Sequence, residues 1–186
     1  MAERAAEALR AVRALAAARP TWTVLIDGRA GAGKSTLARA LAEATCATLV
    51  RLDDCYPGWD GLEAGAEAVR RTVLVPRATG RAGAWQRWDW AAERPAEQHG
   101  VPATGGLICE GCGVLTRRSA PLADLRLLVE LDAERRKQRA LRRDGDLFAP
   151  HWDRWAAQEE AVIRAEEPAS LADLVVDGGT VRPAPR

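Results

Sequence analysis

A three-layer α/β sandwich, with five parallel strands between two layers of helices, is predicted by three features of the 186-residue sequence. A glycine-rich loop, Asp27-Gly28-Arg29-Ala30-Gly31-Ala32-Gly33-Lys34-Ser35-Thr36, joins a short β-branched run to a segment of helical periodicity. Five short apolar runs alternate with helix-like segments, the pattern of right-handed crossovers between parallel strands. The second and third of those runs end in acids, at Asp53-Asp54 and Glu110, and such a sheet binds its ligands at the carboxyl ends of its strands. The length suits one domain over 1–186, with an N-terminal helix at 1–20, an insertion at 76–105 and a lid region at 133–150.

Each element has its own signal. Leu9, Val12 and Leu15 give residues 2–18 an apolar helical face, and Arg19-Pro20 ends it. Thr23-Val24-Leu25-Ile26 reads as the first buried strand, and a helix follows the loop from about 34 to 44. Residues 47–52 form the second strand, 56–61 a turn-rich loop, and 62–74 a helix. The stretch 76–105, rich in Gly, Pro and Trp, has weak periodicity and reads as an irregular insertion suited to binding a substrate. Strands are expected at 106–110, 125–131 and 174–177, the last closed by Gly178-Gly179. A strongly basic helix runs from about 133 to 143, and Pro150 precedes a second helix from 151 to 166. The tail Arg182–Arg186 is expected to fray.

Composition excludes several function classes. With 47% hydrophobic residues, 28% charged residues and a net charge of +1, bulk charge offers no nucleic-acid or membrane surface. No apolar run approaches the ~20 residues of a membrane span. The Ala/Arg-rich start carries Glu3 and Glu7 and no Ser, unlike a transit peptide, so a cytoplasmic protein is expected. Cys46, Cys55, Cys109 and Cys112 lack the two paired spacings of a zinc site and read as a reduced set, with Cys46 and Cys109 as small core residues. Asparagine is absent, so the Asn-Lys-x-Asp guanine signature of GTPases is too.

The loop has the spacing Gly, four residues, Gly, Lys, Ser of a phosphate-binding loop. Its glycines let backbone N–H groups converge on an anion, and the helix that follows adds its positive end. Gly28, Gly31, Ala32, Gly33, Lys34, Ser35 and Thr36 are therefore the expected nucleotide-binding residues, with Lys34 on the β- and γ-phosphates and Ser35 on Mg²⁺. Lysine occurs only at 34 and 137, so one of the two fills the loop position. Of the pair Asp53 and Asp54, one suits the base that takes a hydroxyl proton, and Glu110 at an apolar strand end suits a metal ligand. Arg136, Arg139 and Arg143 share one helical face and suit a lid over a polyphosphate. Trp85, Trp88 and Trp90 bracket Asp89, a pattern that stacks on a flat substrate and accepts from sugar hydroxyls. His99 and His151 lack a partner pattern and read as structural.

Taken in order from about 23 to 179, these stretches resemble the uridine kinase and phosphoribulokinase branch of P-loop kinases. Leu52-Asp53-Asp54-Cys55-Tyr56 resembles the branch's Asp-x-Phe-Tyr motif, whose first Asp is the base; this favours Asp53. Trp88-Asp89-Trp90 is similar to its Tyr-Asp-Phe substrate motif, Cys109-Glu110-Gly111 to its Glu-Gly strand end, and Arg142-Arg143-Asp144 to its lid. Ala172-Asp173 through Gly179 resembles the last strand and the loop near the adenine. Short bacterial uridine kinase-like ATP-binding proteins share the stretch Leu-Asp-Asp-x-Tyr-Pro-Gly-Trp-Asp-Gly. The chain departs from the branch where Glu93-Arg94 replaces a histidine, where Cys55 replaces an aromatic residue, and in its shorter length.

The resemblance implies an ATP- and Mg²⁺-dependent kinase acting on a hydroxyl of a nucleoside-like small molecule. Lys34, Asp53, Arg139 and Arg143 are then catalytic, Ser35, Asp53 and Glu110 serve the metal, and Asp53, Tyr56, Trp88, Asp89 and Arg94 serve the acceptor. Two alternatives stand beside it. One is a kinase for nucleoside monophosphates or another anionic acceptor, using Arg81, Arg87 and Arg94. The other is a non-catalytic ATP-binding partner protein. Monomer and homo-oligomer both remain open.

Overall fold

The computed structural model describes residues 2–180, so the expectation for Arg182–Arg186 lies outside the described residues. Helix α1 (Ala2–Ala18) leads into β1 (Thr21–Asp27), whose side chains from Trp22 onward are all buried. After the loop come α2 (Lys34–Thr45), β2 (Thr48–Arg51) and α3 (Leu62–Val69). Helix α3 continues through a π-helical turn, Arg70–Leu74, into α4 (Val75–Ala78). Pro76 has no N–H for the helical ladder, so it sits where a new first turn begins. A hairpin of β3 (Gly83–Asp89) and β4 (Arg94–Val101) precedes β5 (Gly105–Glu110) and β6 (Leu125–Glu130). Helices α5 (Ala133–Phe148), α6 (Trp152–Glu166) and α7 (Pro168–Leu171) then lead to β7 (Leu174–Asp177).

The main sheet has five parallel strands in the order β2-β5-β1-β6-β7. This is the P-loop NTPase α/β fold, with the strands where the apolar runs place them. Both faces are buried because successive strand residues point to opposite sides and helices cover each side. Val24, Ile26, Ile108, Leu127, Val129 and Val176 pack against Ala8 and Val12 of α1 and Leu37, Ala38 and Leu41 of α2. On the opposite side Leu25, Val50, Leu107 and Cys109 join Leu62, Val69 and Leu74 from the α3–α4 segment and Trp152 and Trp155 from α6. Parallel register brings Ile26 level with Glu110 and Arg51 level with Glu110, so the carboxyl ends of β1, β2 and β5 close on one point.

Two expectations are corrected. The stretch 76–105 is not irregular: most of it is the antiparallel β3–β4 hairpin. Its alternation is broken by a register shift between Gln86 and Trp88, and Pro95 sits within β4, so neither strand carries a clean two-residue period. Cys46 is not a core residue; it is exposed, with φ of 52°, in the left-handed position that ends α2. The insertion is held at its base by Arg77, whose buried guanidinium donates to the carbonyl of Gly105 at 2.7 Å and that of Trp22 at 3.3 Å.

Candidate functional site

The loop between β1 and α2 owes its shape to three glycines. Gly28, Gly31 and Gly33 hold φ values of 144°, 79° and 109°, which side-chain-bearing residues rarely adopt. A Cβ at Gly28 would collide with the carbonyl oxygen of Val129, and one at Gly31 with that of Arg136. Gly33 sits at the N-cap of α2, so the amides from Lys34 onward open the helix's positive end toward the cleft. Lys34 is only 5% exposed, and its ammonium donates to the carbonyl of Arg29 at 3.2 Å and to Cys112 Sγ at 3.5 Å. Burial alone would lower the Lys34 pKa, but the Cys112 sulfur, Glu110, Asp53 and Glu159 turn the net shift upward. The Cys112 thiol is itself pushed up by burial and stays protonated, which leaves the carboxylates as the anions that matter.

Asp27, the last residue of β1, clamps the loop to the turn after β5. Its carboxylate accepts from the N–H groups of Gly28 at 2.6 Å, Gly113 at 3.2 Å and Leu115 at 2.7 Å. Burial nonetheless outweighs those bonds and raises its pKa to about 6.

The strand-end acids converge as the sheet topology requires. Arg51 faces all three, 3.8 Å from Asp53 Oδ2, 3.8 Å from Asp54 Oδ2 and 3.5 Å from Glu110 Oε1. Glu110 is fully buried, yet among the described residues neither of its oxygens has a hydrogen-bonding partner. Burial raises its pKa and Asp53 adds to that, while Lys34, the Ser35 hydroxyl and Arg51 act in the other direction. A buried carboxylate with no hydrogen bond, close to the Ser35 hydroxyl and 3.5 Å from Arg51, fits a divalent cation, which would supply a further partner. Among the described residues no three His, Cys, Asp or Glu side chains form a metal cluster of their own. Mg²⁺ needs none, since one or two carboxylates plus phosphate oxygens and waters complete its shell.

The loop, Arg51, Asp53 and Asp54 open onto a cleft of about 670 Å³. Of the predicted residues it brings together Gly31, Gly33, Lys34, Ser35, Thr36, Asp53, Tyr56, Arg139 and Arg143. Ala32 is a loop residue whose side chain is buried in the core, and Gly28 faces a second cavity. Glu110 is buried behind Arg51 and does not line the cleft, and neither do Trp88, Asp89 and Arg94. Asp89 caps the hairpin turn, accepting from the N–H groups of Ala91 and Ala92 at 3.0 Å each, and these two bonds hold its pKa down. Arg94 is exposed on β4, and Trp88 packs near Gly58.

The predicted arginine face divides. Arg139 donates to the Gly178 carbonyl at 2.8 Å, and Arg143 makes a two-pronged pair with Asp144 at 2.8 and 2.7 Å. Arg136 is buried under the loop, where it donates to the Ala30 carbonyl at 3.2 Å. Gly145, with φ of 52°, kinks α5 just past Arg143.

Sequence reasoning named Trp90 among the tryptophans that could stack on a substrate, and it does line the far wall of the cleft; the rest of that wall, Trp59, Leu147, Phe148 and Trp155, it missed. Trp59 lies 4.7 Å from Trp90 and stacks on His151 at 4.3 Å, and Tyr56 meets Trp155 edge-on at 4.9 Å. The polar ends of two of these rings are engaged: Tyr56 donates to the Cys112 carbonyl at 2.8 Å and Trp90 to the Asp53 carbonyl at 2.9 Å. What they present is therefore aromatic surface. Tryptophan richness in the sequence was the available signal, and it pointed to Trp88 instead of Trp59. Also missed was Glu159 of α6, buried against the loop. The second cavity, about 1050 Å³ between α6 and strands β6 and β7, is the larger, but it lacks Lys34, Ser35 and Asp53.

No protein-family model matches the chain, and no curated protein matches it significantly. Its fold does match solved structures. A possible uridine kinase from Bacillus stearothermophilus superposes with a TM-score of 0.63 over 92% of this chain and 100% of that one, at 15% identity. A provisionally assigned fructose transport system kinase from Silicibacter sp. TM1040 gives a TM-score of 0.58 over 84% and 89%, at 19% identity. At these identities the likeness establishes the fold.

Proposed function

We propose that the protein is an ATP- and Mg²⁺-dependent kinase that transfers the γ-phosphate to a hydroxyl of a small, uncharged, nucleoside-like acceptor. The observation that carries this reading is the placement of Asp53 in one cleft with Lys34, Ser35 and the loop amides, with Arg51 of the same cleft 3.5 Å from the buried Glu110. Asp53 is part-exposed toward the cleft and acts on the loop lysine, the position required of an acid that takes a proton from an acceptor hydroxyl.

In this mechanism the amides of Gly31 to Thr36 and the Lys34 ammonium hold the β- and γ-phosphates. Asp53 accepts the proton of the acceptor hydroxyl as its oxygen bonds to the γ-phosphorus. The bond from that phosphorus to the β,γ-bridging oxygen breaks, and ADP leaves with the electron pair. Asp53 is better placed than Asp54, since it is Asp53 whose charge acts on Lys34. Arg139 and Arg143, at the lip of the cleft, supply positive charge for the equatorial oxygens once the lid closes. Ser35 and Glu110, with Asp53, would hold Mg²⁺, which would neutralise charge on the phosphates. The aromatic wall provides stacking surface for the acceptor.

The anionic-acceptor alternative has less support. Arg81, Arg87 and Arg94 lie outside the cleft lining, and Arg87 is paired with Glu97 at 2.6 Å. Arg51 inside it already faces Asp53, Asp54 and Glu110. The test is ADP release from Mg-ATP over a panel of nucleosides, free sugars and monophosphates, with Asp53→Asn as control. Turnover with an uncharged alcohol, lost in the variant, supports the reading. Release no faster than background with every acceptor excludes it, and tight ATP binding in that case points to a non-catalytic partner.

A further inference from the structure

We infer that Glu159, 129 residues beyond the loop it touches, is a positioning residue that preorganises the phosphate loop for the triphosphate. The inference rests on the reading of that loop as the nucleotide site. Glu159 is 3% exposed, and its carboxylate is fully engaged. Oε1 accepts from the Ala30 N–H at 2.6 Å and from the Cys112 thiol at 3.2 Å, and Oε2 accepts from Arg29 Nε at 3.0 Å. Arg136 stands 4.0 Å from Oε2 while it donates to the Ala30 carbonyl at 3.2 Å.

The consequence is geometric. The Ala30 N–H belongs to the peptide plane before that residue and the Ala30 C=O to the plane after it. Glu159 fixes the first and Arg136 the second, so both backbone torsions of Ala30 are set from outside the loop. The direction of the next amides, those that would face phosphate, follows from these torsions. A loop that must be ordered by its ligand loses backbone entropy on binding, which lowers affinity. Holding Ala30 in advance removes part of that loss.

The contacts separate this role from general packing. The groups hydrogen-bonded to the carboxylate lie in the loop itself or, at Cys112, against Lys34. Arg29 is further held by Glu160 at 3.2 Å and by the Ala156 carbonyl at 3.4 Å, so one face of α6 (residues 156, 159 and 160) grips the loop. A buried carboxylate is unfavourable unless it is paired and hydrogen-bonded, and here every bond serves the phosphate site.

The test is equilibrium titration of Glu159→Ala, Glu159→Gln and Arg29→Ala with a fluorescent ATP analogue, alongside steady-state kinetics. In Glu159→Ala, ATP affinity should fall roughly ten- to a hundredfold, the scale of a lost charged hydrogen bond to a buried partner. KM for ATP should rise in parallel while KM for the acceptor stays within about twofold. Glu159→Gln keeps an acceptor for the Ala30 N–H and should fall between wild type and Glu159→Ala. A folded Glu159→Ala that binds the analogue within about twofold of wild type overturns the inference, as does an equal loss in acceptor KM. If Glu159→Ala does not fold, Glu159→Gln and Arg29→Ala decide, and unchanged affinity in both overturns it. Wild-type protein that binds ATP but phosphorylates nothing defeats the kinase reading alone, whereas wild type that binds no ATP defeats both.

Discussion

The indole N–H of Trp90 donates to the main-chain oxygen of Asp53 at 2.9 Å, joining the hairpin to the acid at the end of β2. The carboxylate of Asp53 is left 35% exposed toward the cleft while its backbone is held in place. The hairpin therefore bears on the site through Trp90, not through Asp89. Trp90→Phe keeps an aromatic ring and removes the hydrogen bond. Expected is a five- to tenfold loss in kcat/KM for the acceptor, about the worth of one hydrogen bond, with KM for ATP unchanged. Steady-state kinetics with each substrate varied in turn checks it.

Asp53 and Asp54 differ in what they face. Asp53→Asn should lower kcat by about 10²–10⁴, the scale of a lost general base. Asp54→Asn should cost less than about tenfold. Equal losses in the two variants would assign the proton to neither residue.

Glu110 should matter through the metal. Glu110→Gln should raise the Mg²⁺ concentration for half-maximal rate about tenfold or more, since one carboxylate of a small ligand set is lost. If Glu110 serves only as the partner of Arg51, stability falls and the Mg²⁺ requirement does not move. Mg²⁺ titration and thermal melts of the same variant separate the two outcomes.

Asp27 gives a pH signature. Its folded pKa, raised to about 6 from 3.8 by burial, means that the folded protein binds the proton more tightly than the unfolded chain. The stability from this linkage is fully present below pH 3.8 and is lost as pH rises through about 6. For a fully buried group the change amounts to about 3 kcal/mol. Against Asp27→Asn, wild type should show most of that, about 2 kcal/mol, as extra stability near pH 4 relative to pH 7. Urea unfolding of both proteins at the two pH values measures it.

The phosphate loop and the five strands were legible because their signals are local. Positive φ at Gly28, Gly31 and Gly33 needs glycine, and strands buried on both faces read as unbroken apolar runs. The hairpin was not legible, since a register shift at Arg87 and a proline at 95 erase its alternation. Asp89 drew attention between two tryptophans, but an Asp at a turn bonds the next amides, as it does here. Glu159 had no local signal at all. Among the acids of α6 only its packing against the loop, 129 residues earlier in the chain, distinguishes it from its exposed neighbour Glu160. Arg136 shows the same limit: helical spacing grouped it with Arg139 and Arg143, while the close approach of α5 at Gly31 placed it under the loop.

The central claim is that phosphate moves from ATP to an acceptor oxygen in the cleft that joins Lys34 to Asp53. Phosphorus NMR of the reaction with Mg-ATP and an uncharged nucleoside tests it most directly. The account predicts a new phosphomonoester resonance growing in step with ADP, absent in Lys34→Ala and reduced to near background in Asp53→Asn. ADP appearing with inorganic phosphate alone, or an ester formed equally fast by Asp53→Asn, would contradict it.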